Sequence, residues 1–477
     1  MRQILFGSFW IVLVSLITSC ASLGDPTEAR QRQVQEDNKK MAERAVWLTE
    51  ERSLEDCLAF ALENNYQLRL TALQRHLAHL DVQDALSNLL PQVTISETWR
   101  TYRHQPTMQG MNTSDKRYAN GTLNVELPIL VPAAWLLYGN RRLAQEEGIL
   151  AEHATRQAIL AQVTLLYYQC LLGEVEIQTL DSQVAATKSQ YERVHSMLEE
   201  GQVLAWEDTI AEAQYRSKEI QLQTARRNLL VTRGRFLQVL GLSPMDAEKL
   251  RLARPTGVRP VQEQTTSERV LQALLHRPEL TIEDRRVVEA ENQVRMAIVD
   301  FLPVVGGFLT ETWTNDSIAD RVNNLFAGFT AALEVFKGFS KVQTYRKTKV
   351  AQRAALLKRE QLFLSVILEV ATAEANLSDA MDNVRLTQLN VNALRARYQE
   401  FSDRYEEGVE PLYRMLDARA EMDDAELQFV RTQFICEIAD TQLALAMGTI
   451  KPDEERQTPE AREFPAAKPV QELLIKE

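Results

Sequence analysis

Residues 363–408 read FLSVILEVATAEANLSDAMDNVRLTQLNVNALRARYQEFSDRYEEG. Phe363, Val366, Val370, Ala373, Leu377, Ala380, Val384, Thr387, Val391, Leu394, Tyr398, Phe401 and Tyr405 alternate steps of three and four, the a/d seam of a coiled coil. Gly is absent from Phe339 to Glu407, and no Pro lies between Pro303 and Pro411. An interior Pro costs a helix about 3 kcal/mol and a Gly about 1, so this stretch predicts one long helix over 340–406. At about 1.5 Å per residue it is a rod on the order of 100 Å. Ala418, Met422, Ala425, Phe429, Thr432, Cys436, Ala439, Leu443 and Ala446 repeat the rhythm and predict a returning helix over 411–447. The Ala and Thr in both seams permit close helix approach.

The pattern occurs twice. Stepping back 207 residues from the Val366–Tyr405 seam lands on Ile159, Val163, Leu166, Cys170, Gly173, Ile177, Leu180, Val184, Thr187, Tyr191, Val194 and Leu198. The returning seam maps to Ala211, Tyr215, Leu222, Ala225, Leu229, Thr232, Phe236 and Val239, with Lys218 discordant. Glu199-Glu200-Gly201 matches Glu406-Glu407-Gly408, and Leu90-Pro91 matches Leu302-Pro303. The first copy therefore predicts long helices over 133–200 and 204–240, and the chain is internally duplicated.

Between each Leu-Pro and its rod the period becomes two. Val93, Ile95, Glu97 and Trp99 alternate with Thr94, Ser96 and Thr98, and Leu123, Val125, Leu127 and Ile129 with Asn124 and Glu126. In the second copy Leu325, Ala327, Phe329, Ala331, Leu333 and Val335 alternate with Gly328, Thr330 and Glu334. Strands are expected at about 92–104, 120–130, 304–314 and 323–336, with one apolar and one polar face, as membrane-barrel strands require. Trp99, Tyr102, Tyr118 and Trp313 are candidates for interfacial girdles. Four strands cannot close around a lumen, and open edges are not tolerated in lipid. A barrel built from them is shared between subunits.

The N-terminus reads as a processing signal over 1–19: Arg2 precedes an apolar run from Ile4 to Ile17. Ile17-Thr18-Ser19-Cys20 resembles a bacterial lipobox and marks Cys20 as a lipidation site, with residues 20–50 as a lipidated tether. The remaining boundaries are 51–241 and 266–450 for the two copies, 242–265 for a linker and equatorial segment, and 451–477 for a loose tail. Net charge is −12, from 54 basic and 66 acidic residues, which argues against a nucleic-acid partner. The six His and four Cys follow no metal-ligand spacing, and no nucleophile–base set or phosphate loop is present. An enzyme is not expected, and neither is a cofactor. Cys170 and Cys436 lie on seams and read as small buried hydrophobes, whereas Cys57 is uninformative.

The duplicated Leu-Pro–strand junctions, the two heptad rods, and Arg404-Tyr405-Glu406-Glu407-Gly408 followed by Met415-Leu416-Asp417-Ala418 resemble the outer membrane efflux protein (TolC) family over about residues 50–450. The lipobox resembles its lipoprotein branch. This resemblance implies a mainly α chain with membrane β, forming a trimeric 12-stranded outer-membrane barrel and a periplasmic α-helical tunnel. It implies an exit duct of a tripartite efflux system, passively conducting small molecules, with a periplasmic adaptor and an inner-membrane pump of RND type as partners. The implied location is the bacterial outer membrane, lipid-anchored and extending into the periplasm. Asp417 matches an aspartate of the family's tip constriction and Tyr405 a tyrosine that helps hold the tip closed. Arg414 stands where a second acidic residue is common. Gly201, Gly408 and Pro411 read as helix-turn tips, the glycines as C-caps and the proline in a first turn. Glu199, Glu200, Glu207, Asp208, Glu406, Glu407 and Glu410 cluster at these turns, either as a carboxylate ring or as ordinary helix-end and solvated charges. Type I protein secretion and a non-pore periplasmic coiled-coil scaffold lipoprotein are the alternatives, although a scaffold gives no reason for the strands.

Overall fold

The computed structural model describes residues 26–109, 111–254, 265–319, 323–407, 409 and 412–450. The expected signal peptide, Cys20, Gly408, Glu410, Pro411 and the 451–477 tail lie outside these residues. The elements in chain order are α1 (Pro26–Ala45), α2 (Leu54–Asn64), α3 (Tyr66–Ser87), β1 (Gln92–Thr101), β2 (Thr107–Met108), β3 (Met111–Asn112), β4 (Arg117–Leu130), α4 (Pro132–Glu199), α5 (Ala205–Leu240), α6 (Thr266–His276), α7 (Pro278–Val299), β5 (Val304–Thr314), β6 (Asn323–Ala332), α8 (Ser340–Glu406) and α9 (Leu412–Ala446). They form two compact units, one within residues 1–57 and 169–255, the other within 58–168 and 256–477. The units cut across the two sequence copies, and α4 contributes to both.

In the second unit α8 and α9 pack antiparallel along the predicted seams. Val366, Val370, Ala373, Leu377 and Ala380 are buried against Cys436, Ala439, Leu443 and Ala446. Each buried Val or Leu contributes roughly 1.5–3 kcal/mol. The hydroxyls of Thr387 and Thr432, 2.9 Å apart, set the register, and Arg395–Glu426 (2.6 Å) and Arg397–Glu421 flank it. Phe363 departs from the expected seam and is 44% exposed.

The first unit repeats the arrangement with α5 against the distal part of α4. Gly173 receives Leu229, whose Cδ1 would stand 2.9 Å from an added Cβ. Arg233 pairs with Glu174 at 2.7 Å. Lys218, the discordant seam position, reaches out of the seam and donates to Gln183 at 2.9 Å. The 20–50 segment expected as a tether is helical over Pro26–Ala45.

Around 159–175, α4 is buried on more than its seam face: Leu160, Tyr167, Tyr168, Leu171 and Val175 join Ile159, Val163 and Cys170. Gln162 and Gln169, seven residues apart, stay exposed and mark the side of this segment that faces solvent. An 18-residue window of α4 reaches a mean hydropathy of 1.3, and half of it is buried in the protein.

β1, β4, β5 and β6 form one antiparallel sheet in the order β1-β4-β5-β6. β4 pairs with β5, so the first copy joins the second through the middle of the sheet. The helices follow the same order. Arg75–Glu152 (3.1 Å) ties α3 to α4, Arg285–Glu146 (3.0 Å) ties α4 to α7, and Arg359–Asp284 ties α7 to α8. β1 ends at Thr101 rather than 104, and a two-residue ribbon, β2–β3, occupies the following loop. β6 ends at Ala332 rather than 336, because its partner begins at Val304 and the chain beyond has nothing to pair with.

Candidate functional site

The register sorts the sheet into two faces. Val93, Ile95, Trp99, Leu123, Val125, Leu127, Leu309, Trp313, Leu325, Ala327 and Phe329 share one, interrupted by Glu97 and Glu311. Trp99 is 76% exposed there. Thr94, Ser96, Thr98, Asn120, Thr122, Asn124, Thr310, Thr312, Asn324 and Thr330 share the other. On this polar face Thr310 donates to Asn124 at 2.8 Å and Thr314 to Asn120 at 2.6 Å. Of the four girdle candidates, only Trp99 and Trp313 stand on the apolar face. Tyr118 is opposed to Arg100 on the polar face. It accepts from that guanidinium at 3.3 Å, and its hydroxyl is 3.5 Å from that of Tyr102.

The loops at the far end of the sheet are bound together by two aspartates. Asp316 Oδ1 accepts from the Asp115 amide at 2.9 Å and the Ile318 amide at 3.2 Å. Asp115 accepts from the amide and hydroxyl of Ser317 at 2.6 and 2.9 Å. Burial works to raise the Asp316 pKa, but the backbone donors outweigh it and hold the carboxyl below its ordinary value.

The helix ends are built to turn. Gly201 follows α4 with φ +73°, its amide donates to Leu198 O at 3.0 Å and that of Gln202 to Met197 O at 2.8 Å, a Schellman cap. The Val409 amide closes the same six-residue ring onto Arg404 O at 2.9 Å, 207 residues along. Gly241 and Gly448 end α5 and α9 with φ +78° and +67° and the same pair of bonds, again 207 apart. Gly408 and Pro411 lie outside the described residues.

The carboxylates at the first turn are engaged locally. Glu207 accepts from the Leu204 amide at 3.1 Å and caps its own helix. Glu200 accepts from Gln202 at 2.8 Å. Asp208 lies 3.1 Å from His195 Nδ1. Asp417 and Arg414 are exposed one turn apart on α9, and Tyr405 is exposed at the end of α8.

Two features here went unread in the sequence. His195 sits across the first turn from Asp208 and against Tyr191, which stacks on Tyr215 with centroids 6.1 Å apart. The seam pairing of Tyr191 with Tyr215 was the available signal. The second feature is a pair of rings on the polar sheet face, Phe308 and Phe326. Cys57, Cys170 and Cys436 are buried free thiols, and burial pushes Cys170 up to about 12.

Residues 270–449 match the outer membrane efflux protein family. The chain is 20% identical over 418 residues to outer membrane protein TolC of Vibrio cholerae, covering 85% of this chain and 92% of that one. Among solved structures it resembles the CmeC outer membrane channel of Campylobacter jejuni (TM-score 0.70, 16% identity, 84% of this chain and 88% of the other). It also resembles the outer membrane protein VceC of Vibrio cholerae (TM-score 0.66, 16% identity, 83% and 96%).

Proposed function

We propose that this chain, a member of the outer membrane efflux protein family, is one third of an outer-membrane exit duct. The observation that carries the reading is the open sheet. Its four strands alternate in direction and leave β1 and β6 unpaired along their outer edges. An unpaired edge is not tolerated in lipid. Because β1 and β6 run in opposite directions, β6 of one copy lies antiparallel to β1 of the next, and three copies close a twelve-stranded barrel. Its apolar face meets lipid and its Thr/Asn face lines the lumen.

The helices attached to those edges support the same closure. α3 leads into β1 and presents Leu70, Leu73, Leu77 and Leu80 exposed at a/d spacing. α8 follows β6 and presents Val350, Leu357 and Leu364 exposed at seven-residue intervals. Unpartnered heptad rows of this kind mark helix–helix interfaces. α4 with α5 and α8 with α9 form the periplasmic wall. Exposed Leu204, Trp206 and Ile210 beside the first turn suit docking of a periplasmic adaptor, with an RND-type inner-membrane pump supplying the energy. Conduction through the duct itself is passive. Cys20 carries the lipid anchor in this reading, and Cys20→Ser is expected to abolish incorporation of radiolabelled palmitate.

The test is the mass of the detergent-solubilised protein by light scattering. Wild type is expected at three chains, and Leu73→Glu or Leu357→Glu is expected to lower the mass while the helical circular dichroism of each chain persists. A wild-type monomer overturns the reading.

A further inference from the structure

The polar face of the sheet is interrupted at its helix-side end. Glu126 and Phe308 are directly opposed in β4 and β5, and Phe308 is opposed on its other side by Gly328 in β6. The Phe308 ring extends over that glycine, where an added Cβ would stand 3.0 Å from Cζ. Phe326, two residues before Gly328 and so on the same face, meets Phe308 edge-on, with centroids 6.1 Å apart and planes at 71°. Phe326 remains 46% exposed, so the pair does not serve to fill a core. Asn124 donates to Glu126 Oε1 at 2.7 Å, and among the described residues no cation pairs with Glu126. The other charge on this face of the described strands is Arg100, on β1 eight residues beyond Gln92, the residue opposed to Glu126. At about 3.3 Å per residue it lies roughly 26 Å away.

We infer that Glu126, Phe308 and Phe326 form a binding site for an amphiphilic organic cation, a ligand that carries an aromatic ring and a positive charge. The inference rests on the duct reading, which turns this face to the lumen and places the trio where cargo passes from the helical section into the barrel. Ring faces carry negative quadrupole and attract both cations and other rings. The carboxylate adds charge complementarity. Exposure keeps the site weak, as a conduit requires, since cargo must leave as readily as it enters.

Ethidium titrated into the solubilised assembly and followed by fluorescence anisotropy tests the site. Glu126→Gln and Phe326→Ala are each expected to weaken binding about fivefold, the scale of a cation–ring or exposed charge contact. Arg100→Gln is expected to leave affinity within about twofold of wild type on the same scale. Phe326→Leu keeps apolar area without the ring and serves where the alanine variant fails to assemble. Light scattering on the same samples separates the two readings. A trimer with equal affinities in wild type, Glu126→Gln and both Phe326 variants overturns the site alone, whereas a monomer overturns the duct.

Discussion

Trp313 lies across Gly121: its Cε2 occupies a point 2.0 Å from where a Cβ on Gly121 would be. The two residues are directly opposed in the β4–β5 pair, the seam that joins the two sequence copies. A side chain at 121 displaces the indole, and overpacking of this kind costs about 1–3 kcal/mol. Gly121→Val is expected to lower the thermal midpoint of the solubilised assembly and to shift tryptophan emission. An unchanged midpoint and spectrum would show that the glycine is not required there.

Asn292 donates to Asn140 at 2.8 Å, linking α7 to α4, and both side chains are nearly fully buried. Removing one partner strands the other, at about 1–3 kcal/mol. Asn292→Ala and Asn140→Ala should each destabilise by that scale in denaturant unfolding, and the double variant by clearly less than their sum. Strict additivity would mean that the bond contributes nothing.

Gly201 and Gly448 share a left-handed backbone but not a neighbourhood. A Cβ at Gly201 meets nothing within 4 Å, whereas one at Gly448 meets Arg277 Cα and N at 3.3 Å. Gly201→Ala should cost about 1–2 kcal/mol for the backbone conformation alone. Gly448→Ala should cost more, because it also pushes on the α6–α7 connection. Equal losses in thermal melts would contradict the crowding seen at Gly448.

The Asp316 carboxyl is held below its ordinary pKa in the folded loop, so the folded state favours its ionised form. Its contribution is present above the ordinary carboxylate range and is lost as pH falls through the lowered value. Amide protection factors at Asp115 and Ile318, corrected for intrinsic exchange, should therefore hold at neutral pH and drop in acid. In Asp316→Asn the acid drop should disappear. Protection that is flat with pH in wild type would remove the carboxylate from the loop clasp.

Asp417 and Arg414, exposed a turn apart on α9, carry the proposal of a periplasmic constriction. Alanine at both positions should raise single-channel conductance of the reconstituted protein and alter its cation preference. Conductance and preference equal to wild type would place both residues outside the constriction.

Much of the helical architecture can be read along the chain because it is local. Val366, Val370 and Leu377 recur at the spacing that buries one helix face, and they are buried. Phe363 keeps the spacing yet stands 44% exposed. Lys218 breaks the spacing and is accommodated by Gln183 on the facing helix. Tyr118 alternates like a girdle residue, yet it faces Arg100 and Tyr102 across the polar side of the sheet. Period and pairing are separate facts, and only the first is written in a single strand.

Heptad spacing and the 207-residue echo were sufficient for two long helical hairpins, and period-two alternation for two pairs of strands, because each is set by contacts between near neighbours in the chain. The sequence did not reveal that β4 pairs with β5, that the compact units cut across the duplication, or that Glu126, Phe308 and Phe326 come together. Those relationships join residues up to about two hundred positions apart. They depend on which strand edges find each other and on where a glycine leaves room for a ring, and no periodicity encodes that choice.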